Sequence, residues 1–236
     1  MKIWVAAAIT LALSACATTP PTPEAQGRQL VDQMKAAMGG AAWDRQSTFH
    51  ASGAAERGGE HVKYEVWGDM RAMKSLSLQS TGGPMFGGGY DGVVSWGRGP
   101  DGKVRTSTAG PAIADARFGS YLGVKGYFFP DRFPAAIIYR GRQASNGHDY
   151  DVVEVTPPGA RFPAQLWLDP RTHVLKRISA SNGAHGFVAD TLRYETIDGV
   201  QIDFRTDHYD DGKLEAQTLE HFEFTPVPPE RFSPPN

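Results

Sequence analysis

One thiol, seven imidazoles and a scatter of carboxylates are the side chains of this 236-residue chain that could do chemistry. The histidines, at positions 50, 61, 148, 173, 185, 208 and 221, form no H-E-x-x-H and no close metal-ligand spacing. His208, near Asp207, Asp210 and Asp211, is the best metal candidate, but an Asp-rich piece of this kind reads better as a solvated hairpin turn. Asp149 and Asp151 share one strand face beside a turn, where solvation is expected rather than acid–base coupling. No Gly-x-Ser-x-Gly elbow or P-loop occurs, and Gly87-Gly88-Gly89 lacks the following Lys and helix of a phosphate cradle. Asp-Thr-Gly and Asp-Ser-Gly, from which an aspartic dyad is built, do not occur either. The expectation is no metal, no cofactor and no catalytic residue.

The formal charge is -2, with no basic excess to draw the chain to phosphate backbones, so nucleic acid is not expected as a partner. The chain is 40% hydrophobic and long enough to bury one sizeable core. Its 27 glycines and 17 prolines are scattered among alternating runs, which suits a turn-rich β protein better than disorder.

The most specific signal lies at the front. Lys2 supplies a positive charge, residues 3–13 form a short apolar run, and Leu13-Ser14-Ala15-Cys16 closes it: a secretory signal too short to span as a permanent helix. The ending resembles the lipobox of bacterial lipoproteins, and Cys16 is the one cysteine in the chain. The resemblance implies cleavage before Cys16, acyl chains on its sulfur, and a protein held to a membrane by covalent lipid. Ala17, where some lipoproteins carry an inner-membrane retention Asp, implies the outer membrane, facing the periplasm. The alternatives are an ordinary signal peptide and a buried N-terminal helix. The expected organisation is a signal peptide over 1–15, a lipidated cysteine with a Pro/Thr tether over 16–23, and a single domain over 24–236. Without a second cysteine no internal disulfide can form.

Two helices are expected. In the first, over 24–38, Leu30, Val31, Met34, Ala37 and Met38 form one stripe and Gly39-Gly40 stop it. Trp43 just after it is read as a core anchor. The second lies alone in mid-chain over 110–130, with Pro111 at its start and Ala114, Phe118, Tyr121 and Leu122 on one face. Gly123 and Gly126 end it, and Tyr127, Phe128 and Phe129 make an apolar exit. Strand-like runs flank it, at 48–57, 61–69, 72–79, 93–97 and 103–108 before, and at 135–143, 150–156, 164–168, 174–180, 188–194, 201–208 and 214–224 after. Asp91-Gly92, Asp101-Gly102, Asn146-Gly147, Asn182-Gly183, Asp198-Gly199 and Asp211-Gly212 suit tight turns, which join only antiparallel neighbours. Apolar residues alternate with polar ones, as in Ile202, Phe204 and Thr206 against Asp203, Arg205 and Asp207, so one face of each strand is dry. Such a sheet curls, giving a mainly β fold with a few helices: a curved antiparallel half-barrel whose concave face the helices cover. A two-sheet sandwich would alternate equally well but leaves the two helices without a place. Met85 and Phe86 among glycines read as a bulged edge strand burying Phe86, or as an apolar tip that touches a membrane.

Three local patterns carry a resemblance to the LolA/LolB lipoprotein-carrier family. They are Tyr90-Asp91-Gly92 with Trp96, the run Gln165-Leu166-Trp167-Leu168-Asp169-Pro170-Arg171-Thr172 with Val174-Leu175-Lys176-Arg177 returning, and Asp198-Gly199-Val200 before residues 201–204. From Met38 to Phe232 the chain also resembles the LolA-like region found ahead of retropepsin-type aspartyl proteases, without the protease. The family resemblance implies a hollow that accepts an apolar ligand, such as a lipid or a lipoprotein acyl chain, between the sheet and the 110–130 helix. Trp67, Trp96, Phe118, Tyr121, Leu122, Tyr139 and Trp167 are the residues expected to line it. A structural or interaction lipoprotein whose hollow its own helices fill is the alternative, and an enzyme with an unfamiliar site the remoter one.

Overall fold

The computed structural model describes residues 20–181, 183 and 185–235. The signal segment, Cys16 and the tether as far as residue 19 lie outside them, as does Asn182 of one expected turn. Helix α1 (Pro23–Ala37) opens with Pro23 at its first position and the Thr22 hydroxyl accepting the Ala25 N–H at 3.2 Å. Leu30, Val31 and Met34 form its buried stripe, and a short turn α2 (Ala42–Arg45) follows, setting Trp43 in the core with its indole donating to the Met38 carbonyl at 2.9 Å.

The chain then makes β1 (Thr48–Arg57), β2 (Glu60–Asp69), β3 (Lys74–Ser80), β4 (Phe86–Tyr90), β5 (Ser95–Arg98) and β6 (Val104–Ser107), each antiparallel to the one before. Helix α3 (Gly110–Gly123) follows, with a 3-10 turn at Gly126–Phe128. The second half comprises β7 (Ala136–Ser145), β8 (His148–Thr156), β9 (Ala164–Leu168), β10 (Leu175–Ser181), β11 (Gly186–Ile197), β12 (Val200–Asp210) and β13 (Lys213–Phe224). All belong to one 13-stranded sheet in the order β6-β5-β4-β3-β2-β1-β13-β12-β11-β10-β9-β8-β7. The first half steps outward from β1 to one edge, the second walks back from the other edge to β13, and β13 pairs with β1 at the middle. A meander cannot jump from β6 to β7 by a tight turn. The α3 segment is the link that spans the two edges, which is why a lone helix interrupts the strands.

Asn146-Gly147, Asp198-Gly199 and Asp211-Gly212 each hold both residues at positive φ, the geometry that matches the twist of a two-residue hairpin. β4, FGGGY, falls where Met85 and Phe86 read as a bulged edge strand, and its glycines show no alternation. It pairs with β3 and β5 on its two sides, so Phe86 opens an interior strand rather than an edge and is only half-buried. A second correction concerns Asp151, which is buried rather than solvated and accepts from the Tyr139 hydroxyl at 2.9 Å and from Arg142 at 3.3 Å. Asp149 alone is exposed.

The helices sit on the wings of the sheet. α1 packs on β7 and β8, so closely that a Cβ on Gly27 would stand 2.9 Å from the Tyr139 backbone nitrogen. α3 lies over β3 to β6, where the Ser120 hydroxyl meets that of Ser75 at 2.6 Å. The aromatic exit, Tyr127, Phe128 and Phe129, is buried in the main core, with Phe128 5.4 Å from the Trp43 ring.

The opposite face of the first wing is covered too. The C-terminal segment from Thr225 crosses it, and Phe232 seals a small separate core with Trp67, Leu76 and Trp96. The Trp96 indole donates to the Phe232 carbonyl at 2.7 Å, and the Arg231 guanidinium lies 4.0 Å above the Trp67 ring.

Candidate functional site: an apolar hollow at the centre of the sheet

α1 packs on one wing and α3 on the other, so the middle strands β2, β1, β13 and β12 meet only the ends of helices, as where the Gln201 side chain donates to the Ala37 carbonyl at 3.1 Å. A hollow of ≈ 290 Å³ opens there, walled by Phe49, Val66, Leu219, Phe222 and Phe224, with Trp43 and Met70 at one end. Val66, Leu219, Phe222 and Phe224 are only half-buried. Apolar walls left partly uncovered on the helix-bearing face are the surface an apolar ligand would complete. Phe222 stacks on Phe49 at 5.3 Å and stands edge-on to Phe224 at 5.0 Å, which fixes the wall in place.

The polar groups are gathered at the edge where α3 ends. Lys125, in the left-handed conformation (φ 55°), turns its ammonium to Asp203 at 3.1 Å. Burial pushes the Lys125 pKa down, but the Asp203 carboxylate and then Tyr194 push it up, and the net direction is up. Burial pushes the phenols of Tyr127 and Tyr194 up as well, with Asp203 adding to both, so neither adds a charge near neutrality beside the Lys125–Asp203 pair. Further along β1 and β13 the same face turns polar, with Arg57 bonded to Glu215 and to the Gln79 side chain. The hollow therefore has a greasy floor and a charged but neutralised rim. Its walls are those of a binding surface, apolar side chains bordered by one ion pair.

None of the seven residues expected to line one cavity lines this hollow. Phe118, Tyr121 and Leu122 are buried in the main core, because α3 spends its apolar face on the wing beneath it. Tyr139 packs against that core near α1. The three tryptophans correct the expectation most clearly. Trp167 alternates with Leu166 and Leu168, which are fully buried on the helix-covered side, so it points away from the helices, where Arg177 covers its ring at 5.4 Å. Trp67 and Trp96 also face away, into the small core under the C-terminal segment. A wider groove of ≈ 810 Å³ runs along that segment, lined by Trp67, Trp96 and Leu78 but also by Arg98, Glu223, Glu230 and Arg231, so its walls are mixed rather than apolar. His208 stacks on Phe187 at 5.6 Å, and burial pushes its pKa down. Asp211, in the β12–β13 turn, bonds His185 and the Gly186 N–H at the start of β11.

The residues that do form the hollow were visible only in part. Phe222 and Phe224 alternate with His221 and Glu223, and Ile202 with Asp203, so a dry face on β12 and β13 was legible. That Phe49 stands across from them follows from the β1–β13 pairing, between segments that are distant in sequence, and Val66 joins it through the β1–β2 register.

Set against protein-family models and against curated proteins, the sequence finds no match. Set against solved structures, the fold does. A DUF1329 family protein from Desulfovibrio piger superposes with a TM-score of 0.59 at 15% identity, covering 90% of this chain and 98% of its own. A LolA superfamily protein from Nitrosomonas europaea gives 0.58 at 12%, covering 88% and 97%. A domain named for outer membrane lipoprotein sorting, from Vibrio parahaemolyticus, gives 0.53 at 13%, covering 85% and 92%. At such identities the likeness is one of architecture: the chain has a LolA-like fold, an open, curved sheet with helices on one face.

Proposed function

We propose that this protein is a lipid-anchored, non-catalytic carrier of the bacterial envelope that receives an acyl chain in the central hollow. The observation that carries the reading is the hollow itself: apolar walls on the uncovered middle strands, with charge confined to a self-neutralised rim. Burial of the chain's methylenes supplies the driving force, at about 25 cal/mol per Å² of apolar surface. The LolA-like fold and the lipoprotein-sorting name of one structural neighbour support the same direction. Acyl chains on Cys16 would tether the domain to the membrane from which the ligand comes, in this reading the periplasmic face of the outer membrane.

Extraction of the protein purified from its native membrane, followed by mass spectrometry of what comes away from the folded domain, tests this. An acyl-containing molecule is expected in stoichiometric amount. Repeated recovery of none, together with failure to take up a fluorescent fatty acid, would leave the interaction-protein reading in its place.

A further inference from the structure

On the face of the sheet turned away from the hollow, the strand register brings together side chains that sequence holds far apart. β1 pairs with β13 so that His50 lies opposite Glu223 and Ser52 opposite His221. β2 lies on the other side of β1, with Glu65 opposite Ser52 and Trp67 opposite His50. Residues two apart on a strand share a face, so His221 and Glu223 project on the same side as His50 and Glu65. Ser52, the smallest of the group, leaves the middle open.

One ligand atom each from His50, His221 and Glu223 fall within 4.8 Å of one another. The Glu223 Oε1 stands 3.8 Å from His50 Nδ1 and 3.6 Å from His221 Nε2. Nitrogen and oxygen ligands held at about 2.1 Å by a tetrahedral ion lie roughly 3.4 Å apart, so small side-chain rotations would close this set on one ion. The other nitrogen of His50, Nε2, faces the Glu65 carboxylate at 3.3 Å. The tautomer that donates from Nε2 to Glu65 presents the Nδ1 lone pair on the Glu223 side, the arrangement in which a carboxylate behind an imidazole orients it toward a metal. The ring is further held flat against Trp67, at 4.8 Å and 15° between planes.

We propose that His50, His221 and Glu223 bind a divalent cation of the zinc type, with Glu65 as the positioning residue for His50. Two imidazoles and one carboxylate suit zinc and its neighbours and not the oxygen-seeking magnesium or calcium. His50 and Glu223 also line one end of the wide groove beneath the C-terminal segment, so a fourth position is accessible to water or to a small anionic ligand. The site is independent of the acyl-binding reading, because it lies on the other side of the sheet.

Titration calorimetry of the purified protein with zinc chloride, in a buffer that does not chelate, tests the assignment. One saturable site is expected, with no comparable signal from magnesium or calcium. His221→Ala and Glu223→Gln, both at exposed positions whose loss leaves the core intact, should each weaken it at least 30-fold. Glu65→Gln, which removes no ligand, should weaken it about 10- to 100-fold. His148→Ala, elsewhere on the surface, should leave it unchanged. Absence of saturable zinc binding, or an affinity that survives both His221→Ala and Glu223→Gln, overturns the site.

Discussion

Replacing Leu219 by tryptophan would fill the hollow from its own wall. Leu219 is half-buried on β13 and faces the space between the middle strands and the end of α3. A methylene-sized group takes about 30 Å³, so a hollow of ≈ 290 Å³ accommodates about ten of them. Tryptophan brings about six more heavy atoms than leucine and so displaces about six methylenes of a bound chain. At ~0.8 kcal/mol for each methylene returned to water, the gross loss is about 5 kcal/mol. The association costs are shared by the two proteins and cancel in the difference. Allowing half of the loss to be recovered by the chain bending over the rim, about 2.5 kcal/mol remains, which is about 60-fold in affinity. Competition of a saturated 16-carbon fatty acid against a fluorescent analogue measures it, with melting temperature and circular dichroism as folding controls. Trp167→Leu, on the opposite face, is the comparison and should leave affinity unchanged. Equal affinity in Leu219→Trp and the parent, with both folded, would refute the placement of the ligand.

Gly27→Ala should lower the melting temperature although alanine is the better helix former. The gain of about 1 kcal/mol in propensity is opposed by a Cβ 2.9 Å from the Tyr139 backbone nitrogen, and forcing α1 off the sheet costs about 1–3 kcal/mol. Phe232→Ala empties the core under the C-terminal segment and should cost about 3–5 kcal/mol in denaturant titration; an unchanged midpoint would mean that the segment contributes nothing. Stability should fall on the acid side in two stages, followed by thermal melts from pH 8 to pH 3. Burial holds His208 below its ordinary 6.5, so the unfolded chain takes up that proton more readily and the His208 share is lost as pH drops below 6.5. Asp169, held down by the Thr172 and Arg171 N–H groups, and Asp211, held down by His185, have folded values below the ordinary 3.8. In Glu215 burial pushes up from 4.5, but Arg57 and Gln217 outweigh it and the net direction is down. These three contribute stability above their unfolded values that is lost as pH falls through the folded ones. A melting temperature flat from pH 8 to pH 3 would contradict both stages.

Local chemistry alone determined much of the framework. Paired turn residues such as Asp198-Gly199 announce antiparallel hairpins because few other residues tolerate two successive positive φ values, and the meander follows from them. The stripe of α1 and the lone helix between two runs of strands were legible for the same reason: periodicity is a property of neighbours. β4 reads as an edge and not as an interior strand because its glycines have no side chains with which to show a period. Alternation, though, says only that a strand has two different faces, and not which of them looks inward. Trp67 and Trp96 carry the apolar phase of their strands on the outside, since the C-terminal segment folds back to cover them. Tertiary structure alone decided that the two helices would settle on the wings and leave the centre bare, and that His50 would meet His221 and Glu223. Both depend on β13 returning to pair with β1, a contact between segments some 170 residues apart, whose register is chosen by the packing of the whole sheet and is written in no local stretch of the chain.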